Sequence, residues 1–220
     1  MAFLAPDVET IGAQATNQVE AKFDQFIFKQ KAIMRAQLRS SLRSLFSEDL
    51  TAASQQVCQR LERFAIWRRA RSILYFAPLA DEPDVWPLLV QSLAENKIVA
   101  LPCFQTKDDS YEPRRISDLT RDLLRGKFSV REPATHCPAI PTNQLDLVLV
   151  PGVGFAPDGR RLGRGKGYYD RLLANVRGAK CGLAFDQQVV GEIPAEPHDQ
   201  LLDYVVTPTR LMATNPGSFK

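Results

Sequence analysis

The sequence predicts an α/β layer fold, with a mostly parallel sheet flanked by helices. Two observations carry that expectation. Short apolar β-type runs, "SILYFAP", "KIVALP", "LDLVLVPGVGF", "KCGLAF" and "DYVVTP", recur from Ser72 onward, and segments of helical pattern stand between several of them. The run from Leu145 to Phe155 is apolar on both faces, as a parallel strand covered by helices on both sides must be.

Residues 1–25 mix polarity with no firm period and read as an N-terminal extension, partly disordered or lying on the surface. Residues 26–220 read as a single α/β domain, since no repeat or low-complexity linker divides them. From Phe26 the pattern turns helical. Met34, Leu38, Leu42 and Leu45 make an apolar stripe, and Lys31, Arg35, Arg39 and Arg43 make a basic stripe beside it. Ser47 is placed to cap a second amphipathic helix running to about Ala70, with Glu48 and Asp49 in its first turn. "SILYFAP", ending at Pro78, is a buried strand. Residues 84–96 then form a helix, "KIVALP" the next strand and "YEPRRI" an edge strand. Residues 117–143 read as irregular. The clearest strand follows, closed by Pro151 and Gly152. A helix is expected from near Gly167 to about Val176, before the last two strands.

Composition narrows the function. The 220 residues carry a net charge of only +3, which argues against a broad nucleic-acid surface. No apolar run reaches membrane-spanning length. The first residues lack a basic n-region and carry Asp7, Glu9, Glu20 and Asp24, which a transit peptide avoids. A cytoplasmic monomer is expected, with small-molecule partners and neither nucleic acid nor membrane. Cys58, Cys103, Cys137 and Cys181 form no CxxC pair and read as buried, reduced thiols. His136 and His198, the two histidines, are too few for an ordinary zinc site.

Positive charge is instead concentrated in "GRRLGRGKGYYDRLL", from Gly159 to Leu173, just after the strongest strand. Glycines let a backbone approach a ligand and turn its N–H groups toward it. A helix N-terminus and the side chains of Arg160, Arg161, Arg164 and Lys166 add positive charge suited to phosphate oxygens. The stretch therefore reads as a phosphate-binding loop. It is not a Walker A loop, because Gly167 rather than Ser or Thr follows Lys166, and it lacks the G-x-G-x-x-G spacing. A surface hairpin with solvated charges is the alternative on composition, and a nucleic-acid loop a more distant one.

"PGVGFAPDGRRLGRGKGYYDRLL" resembles the signature of the 5-formyltetrahydrofolate cyclo-ligase family, also called 5,10-methenyltetrahydrofolate synthetases, and matches it without a gap from Arg161 to Asp170. Lys31, Arg35 and Arg39 match the family's opening basic helix. "YFAPLADEPDV", with Asp81 and Glu82, matches its strand and acidic pair. "IPAEPHDQLLDYVVTP" matches its closing segment, so the likeness runs from about Phe28 to Arg210. The chain departs from the pattern at Ala156, where many members carry Asp, and at Ala77, where many carry Leu.

The resemblance implies a three-layer, Rossmann-like α/β fold of the type shared with ribose-phosphate isomerases and CoA transferases. It implies conversion of 5-formyltetrahydrofolate to 5,10-methenyltetrahydrofolate, with ATP as co-substrate and Mg²⁺ as cofactor. It implies an ATP site of Lys31, Arg35 and the run Arg161, Leu162, Gly163, Arg164, Gly165, Lys166, Gly167, Tyr168 and Tyr169. Substrate contacts would come from Arg35, Ala77, Glu82, Arg164, Gly165, Lys166, Gly167 and Tyr168. Arg164, Lys166 and Glu82 would be catalytic, and Asp170 and Asp199 would hold the metal. Two alternatives stand beside this reading: another ATP-dependent cyclisation, and a non-catalytic folate- or RNA-binding relative. The presence of Lys31, Glu82, Arg164, Lys166 and Asp170 together favours catalysis.

Overall fold

The structure, a computed structural model, describes residues 8–44, 46–126 and 129–214, with side chains from residue 22 onward. Helix α1 spans Val8–Arg43, so it begins inside the segment read as an extension; residues 1–7 and Leu45 lie outside the described residues. Leu38 and Leu42 of its apolar stripe are buried, but so are Ile27 and the charged Lys31. The basic stripe is thus partly an inner face rather than a solvated one. Helix α2 covers Ser47–Arg63, with Phe46 rather than Ser47 at the cap position. It stops short of Ala70 because Phe64 turns extended, its ring edge-on to Tyr204 at 5.0 Å; α3, Ala65–Arg69, follows. Here side-chain packing overrides helical continuity. Helix α4 is Trp86–Ala94, with Asp84 Oδ1 accepting the Trp86 N–H, and α5 is Tyr168–Leu173.

The strands are β1 (Ser72–Leu74), β2 (Ile98–Gln105), β3 (Ser110–Ile116), β4 (Leu123–Arg125), β5 (Arg131–Pro133), β6 (Leu147–Val150), β7 (Gly154–Phe155), β8 (Arg161–Leu162), β9 (Ala179–Leu183), β10 (Tyr204–Val206) and β11 (Leu211–Ala213). Among the described residues seven of them form one sheet, ordered β11-β10-β9-β6-β1-β2-β3. The inner five are parallel, and β3 and β11 add antiparallel edges, the first as read from "YEPRRI" and the second unexpected. The supposedly irregular 117–143 stretch contains the antiparallel β4–β5 pair. What read as one long strand from Leu145 is β6, a break, then β7 paired with β8.

The two-sided apolar character of β6 is explained by its pleat. Leu147 and Leu149 face a core with Val57 and Leu61 of α2, Trp67 of α3, and Leu88 and Leu89 of α4. Val148 and Val150 face the opposite core, with Leu172 and Leu173 of α5. Helices therefore cover both faces, the layered α/β arrangement expected. The four cysteines are free, with Cys103 half-buried rather than buried. No helix among the described residues is long and apolar enough to cross a membrane.

The parallel strands lie in the order β10-β9-β6-β1-β2. From β1 the chain winds outward to β2, then returns to place β6 on the other side of β1. The carboxyl ends of β1 and β6 are therefore neighbours at the point where winding reverses, which is where open α/β sheets bind ligands.

Candidate functional site

At that reversal point a cleft of about 430 Å³ opens. After β6 the chain makes the β7–β8 hairpin, with Val153 N–H donating to Leu162 O at 2.8 Å and Ala156 N–H to Arg160 O at 2.9 Å. So the glycine-arginine stretch does start as a hairpin. Its charges are not simply solvated, however. Arg161 is buried and donates from Nη2 to Asp170 Oδ1 at 2.7 Å. Arg164 donates from Nη2 to Glu82 Oε1 at 2.8 Å and also to Asp81. Lys166 stands exposed at the cleft, without an ion pair among the described residues.

The loop beyond β8 turns through left-handed backbone at Gly165 (φ +96°) and Gly167 (φ +65°), which favours glycine at both. Gly167 then starts α5, whose six residues supply little dipole. The loop's positive character therefore comes from its side chains, a shift from the helix-terminus contribution expected.

Helix α1 brings a second cationic segment. Leu38 packs with Val153, Ala156, Leu162 and Ile193, and Met34 lies against them. Gly154 permits that approach, since a Cβ there would sit 2.6 Å from Leu38 Cδ1. One and two turns back along α1, Arg35 and Lys31 reach the cleft. Arg35 Nε donates to Gly163 O at 2.8 Å. Burial, then the nearby Arg39 charge, lower the Arg35 pKa against the opposing pull of Glu196 and Asp199. Lys31 Nζ donates to Glu196 Oε2 at 2.7 Å and to Asp199 Oδ2 at 2.6 Å, and Asp199 Oδ2 also accepts the Glu196 N–H.

Glu82 follows β1. Its side chain is 3% exposed, and Oε2 accepts the Leu79 N–H at 2.9 Å while Oε1 holds Arg164. Burial raises its pKa, while Arg164 and the Leu79 N–H pull the other way. Among the described residues Glu82 makes no hydrogen bond with the start of α4, where Asp84 accepts the Trp86 N–H; it faces the loop instead. For Arg164, burial works against the charged form, but the Asp81 hydrogen bond and the Glu82 charge prevail and its pKa is raised.

All the residues expected at the site line this cleft: Lys31, Arg35, Ala77, Glu82, the run 161–170, and Asp199. The two carboxylates expected to hold metal each already pair with a cation, Asp170 with Arg161 and Asp199 with Lys31. Sequence reasoning missed Glu196, Tyr111 and Glu132, which line the same cleft. Glu196 stood three residues before Asp199 in "AEPHD", a signal that could have found it. Tyr111 and Glu132 had no local signal, because β3 and β5 bring them in from the far side.

Comparison with known proteins follows the same residues. The profile of the 5-formyltetrahydrofolate cyclo-ligase family matches residues 27–208. The Mus musculus 5-formyltetrahydrofolate cyclo-ligase is 30% identical, over 79% of this chain and 91% of its own. The Escherichia coli 5-formyltetrahydrofolate cyclo-ligase is 29% identical, over 79% of this chain and 98% of its own. The solved structure of Aquifex aeolicus 5,10-methenyltetrahydrofolate synthetase superimposes with a TM-score of 0.77 at 28% identity, covering 86% of this chain and 95% of that one.

Proposed function

The chain belongs to the 5-formyltetrahydrofolate cyclo-ligase family, and we propose that it converts 5-formyltetrahydrofolate into 5,10-methenyltetrahydrofolate in this cleft, consuming ATP and releasing ADP and phosphate. The observation that carries the reading is convergence. Four segments distant in sequence (α1, the β1 exit, the loop from β8 into α5, and residues 196–199) meet at one cleft at the sheet's reversal point.

The chemistry suits the residues. A formyl oxygen is a poor leaving group. Transfer of the ATP γ-phosphoryl group onto it makes it a good one; N10 then attacks the formyl carbon, the carbon–oxygen bond breaks, phosphate departs and N10 loses its proton. Such transfer rests on positioning and charge neutralisation. Lys166, the exposed cation, meets the phosphates. Arg164, held by Glu82 and Asp81, is pre-oriented toward the reacting groups. Arg35 and Gly163 tie α1 to the loop, so both cationic segments act on one ligand.

Mg²⁺ fits the donor set. Glu196 and Asp199 stand with His198 close enough to share an ion, Asp170 lines the same cleft, and a hard cation that keeps several waters needs only one or two of these carboxylates beside phosphate oxygens. Arg161 engages Asp170 through Oδ1 and Lys31 engages Asp199 through Oδ2, so the second oxygen of each is the one to offer. The ion would neutralise phosphate charge. The cleft is built from this one chain, and we place the active form as a monomer.

The test is direct. Purified protein with 5-formyltetrahydrofolate, ATP and Mg²⁺ should generate the near-ultraviolet absorption of the conjugated methenyl product, and omission of ATP or chelation of the metal should abolish it. Binding of folate without product under any nucleotide would favour the non-catalytic alternative.

A further inference from the structure

Glu132, on β5, lies on the cleft wall and is 8% exposed. Its Oε2 accepts the Phe104 N–H at 3.1 Å, but Oε1 has no hydrogen-bond partner among the described residues. A buried carboxylate oxygen left without a donor is costly, and such a group in a cleft calls for a ligand that supplies one. The neighbouring buried carboxylate makes the contrast. Asp122 accepts from the Ser117 and Asp118 N–H groups, from the Ser117 hydroxyl and from Arg121, so it stands near His136 and Cys137 as a saturated structural hub.

The surroundings of Glu132 fit a flat ring. Tyr111 stands edge-on to Phe104, Tyr168 and Tyr169, at 5.9, 5.2 and 5.9 Å between ring centres, and Pro102 and Val130 line the same wall. Burial, then the Glu132 charge, push the Tyr111 phenol up to about 12, so carboxylate and ring share one microenvironment. Of the cations that line the cleft, Arg131 stacks over the Trp86 ring at 5.2 Å, and the others lie on α1 and the glycine loop.

We propose that Glu132 recognises the 2-amino-4-oxo edge of the pterin ring, accepting hydrogens from the 2-amino group and N3. This rests on the folate reading above. A carboxylate is acceptor-only, and the pterin edge presents two adjacent donors. The edges of adenine pair a donor with a ring-nitrogen acceptor, which would set an acceptor against the carboxylate. Gly126 is the positioning residue: a Cβ there would sit 2.3 Å from Glu132 Cδ, so any larger residue must push the carboxylate aside.

The experiment compares wild type, Glu132→Gln and Gly126→Ala, varying folate and ATP separately, with thermal melting as a check on folding. Gln has one acceptor for two donors. The folate KM should rise about 10- to 100-fold while the ATP KM stays within about twofold. A 2-desamino analogue of 5-formyltetrahydrofolate should be disfavoured about tenfold by the wild type and far less by Glu132→Gln. Gly126→Ala retains the carboxylate but displaces it, so it should share the folate defect and serves if Glu132→Gln fails to fold. An unchanged folate KM, a rise in the ATP KM instead, or equal discrimination in variant and wild type overturns the assignment. A wild type that neither binds nor turns over 5-formyltetrahydrofolate overturns the folate reading itself.

Discussion

The cleft has two ends that solve different problems. At one end Lys31, Arg35, Arg161 and Arg164 are held by carboxylates and a backbone carbonyl. At the other, Tyr111 and Tyr168 line the cleft edge-on to each other and to the buried Phe104, beside one buried acceptor. Fixed charge needs compensation in the folded protein, so the first end is wired to distant segments. An aromatic wall needs only shape, so the second is built by packing. Substitutions at the charged end should therefore damage folding or chemistry, whereas at the aromatic end shape-preserving changes of the rings themselves, though not of the acceptor Glu132, should be tolerated.

The largest effect is expected at Arg161. Its side chain is 4% exposed and its partner Asp170 is 17% exposed. Removing one member of a largely buried pair leaves the other uncompensated, at a cost of about 3–5 kcal/mol. Arg161→Ala should melt far below the wild type in a thermal scan. Asp170→Asn keeps an acceptor for Arg161 and should lose less stability, so a large fall in its Mg²⁺-dependent turnover would separate metal binding from structural pairing. Equal melting of Arg161→Ala and wild type would show the pair contributes little.

Next come the exposed cation and its paired neighbour. Lys166→Ala removes a side chain with no ion pair among the described residues, so stability should stay within about 0.5 kcal/mol. Turnover should nevertheless fall about 10- to 100-fold, the value of a charge-assisted contact made in the transition state. Arg164→Lys should also be slow, because a point charge cannot span Asp81 and Glu82 as the planar fork does. Steady-state rates near wild type for both variants would remove Lys166 and Arg164 from the reaction and leave their loop a structural element.

Glu82 joins the charged end to the chemistry, and its effect is read in pH. Burial raises its pKa, so the carboxylate is protonated at higher pH than an ordinary glutamate. Its hold on Arg164 weakens as pH falls through that raised value, and the acid limb of kcat should lie above the usual carboxylate range. The sign for stability is opposite. A carboxyl with a raised folded-state pKa binds its proton more tightly when folded, so ionised Glu82 costs stability above that pKa. Glu82→Gln should melt no lower than the wild type at neutral pH, turn over more slowly, and lose the acid limb. A rate profile of unchanged shape would remove Glu82 from the reaction.

The same contrast governs what could be read from the sequence. The run 161–170 was legible because its glycines, charges and acid are contiguous and its backbone solution is local. The central strands were legible because β6 is buried on both faces over four residues. Lys31 and Arg35 carried no such mark beyond the family pattern, since a basic stripe on a helix ordinarily faces water, and only the docking of Leu38 on the β7–β8 hairpin turns it inward. The N-terminal start of α1 at Val8 escaped because residues 8–25 show no apolar stripe. Pairs such as β4–β5 and β7–β8 are two or three residues long, too short to show a period. Glu132 and Tyr111 are functional candidates only by virtue of where β5 and β3 fold back.

The smallest effect is expected at Tyr111, and it is the sharpest check on the comparison. With its phenol pushed up to about 12, chiefly by burial, Tyr111 stays neutral through physiological pH and carries no charge for a ligand to meet. Its part is the ring, edge-on to Phe104, Tyr168 and Tyr169. Tyr111→Phe keeps those contacts and should change the folate KM by less than about threefold, with no change in the pH profile. Tyr111→Ala removes three edge contacts, each worth about 0.5–1.5 kcal/mol beyond burial, and should raise the folate KM and lower the melting temperature together. The pair of variants thus inverts the Arg164→Lys result: at the aromatic end a substitution that loses the polar atom but keeps the shape is tolerated, while at the charged end one that keeps the charge but loses the shape is not. A Tyr111→Phe enzyme as impaired as Tyr111→Ala would show that the hydroxyl, and not the wall, does the binding.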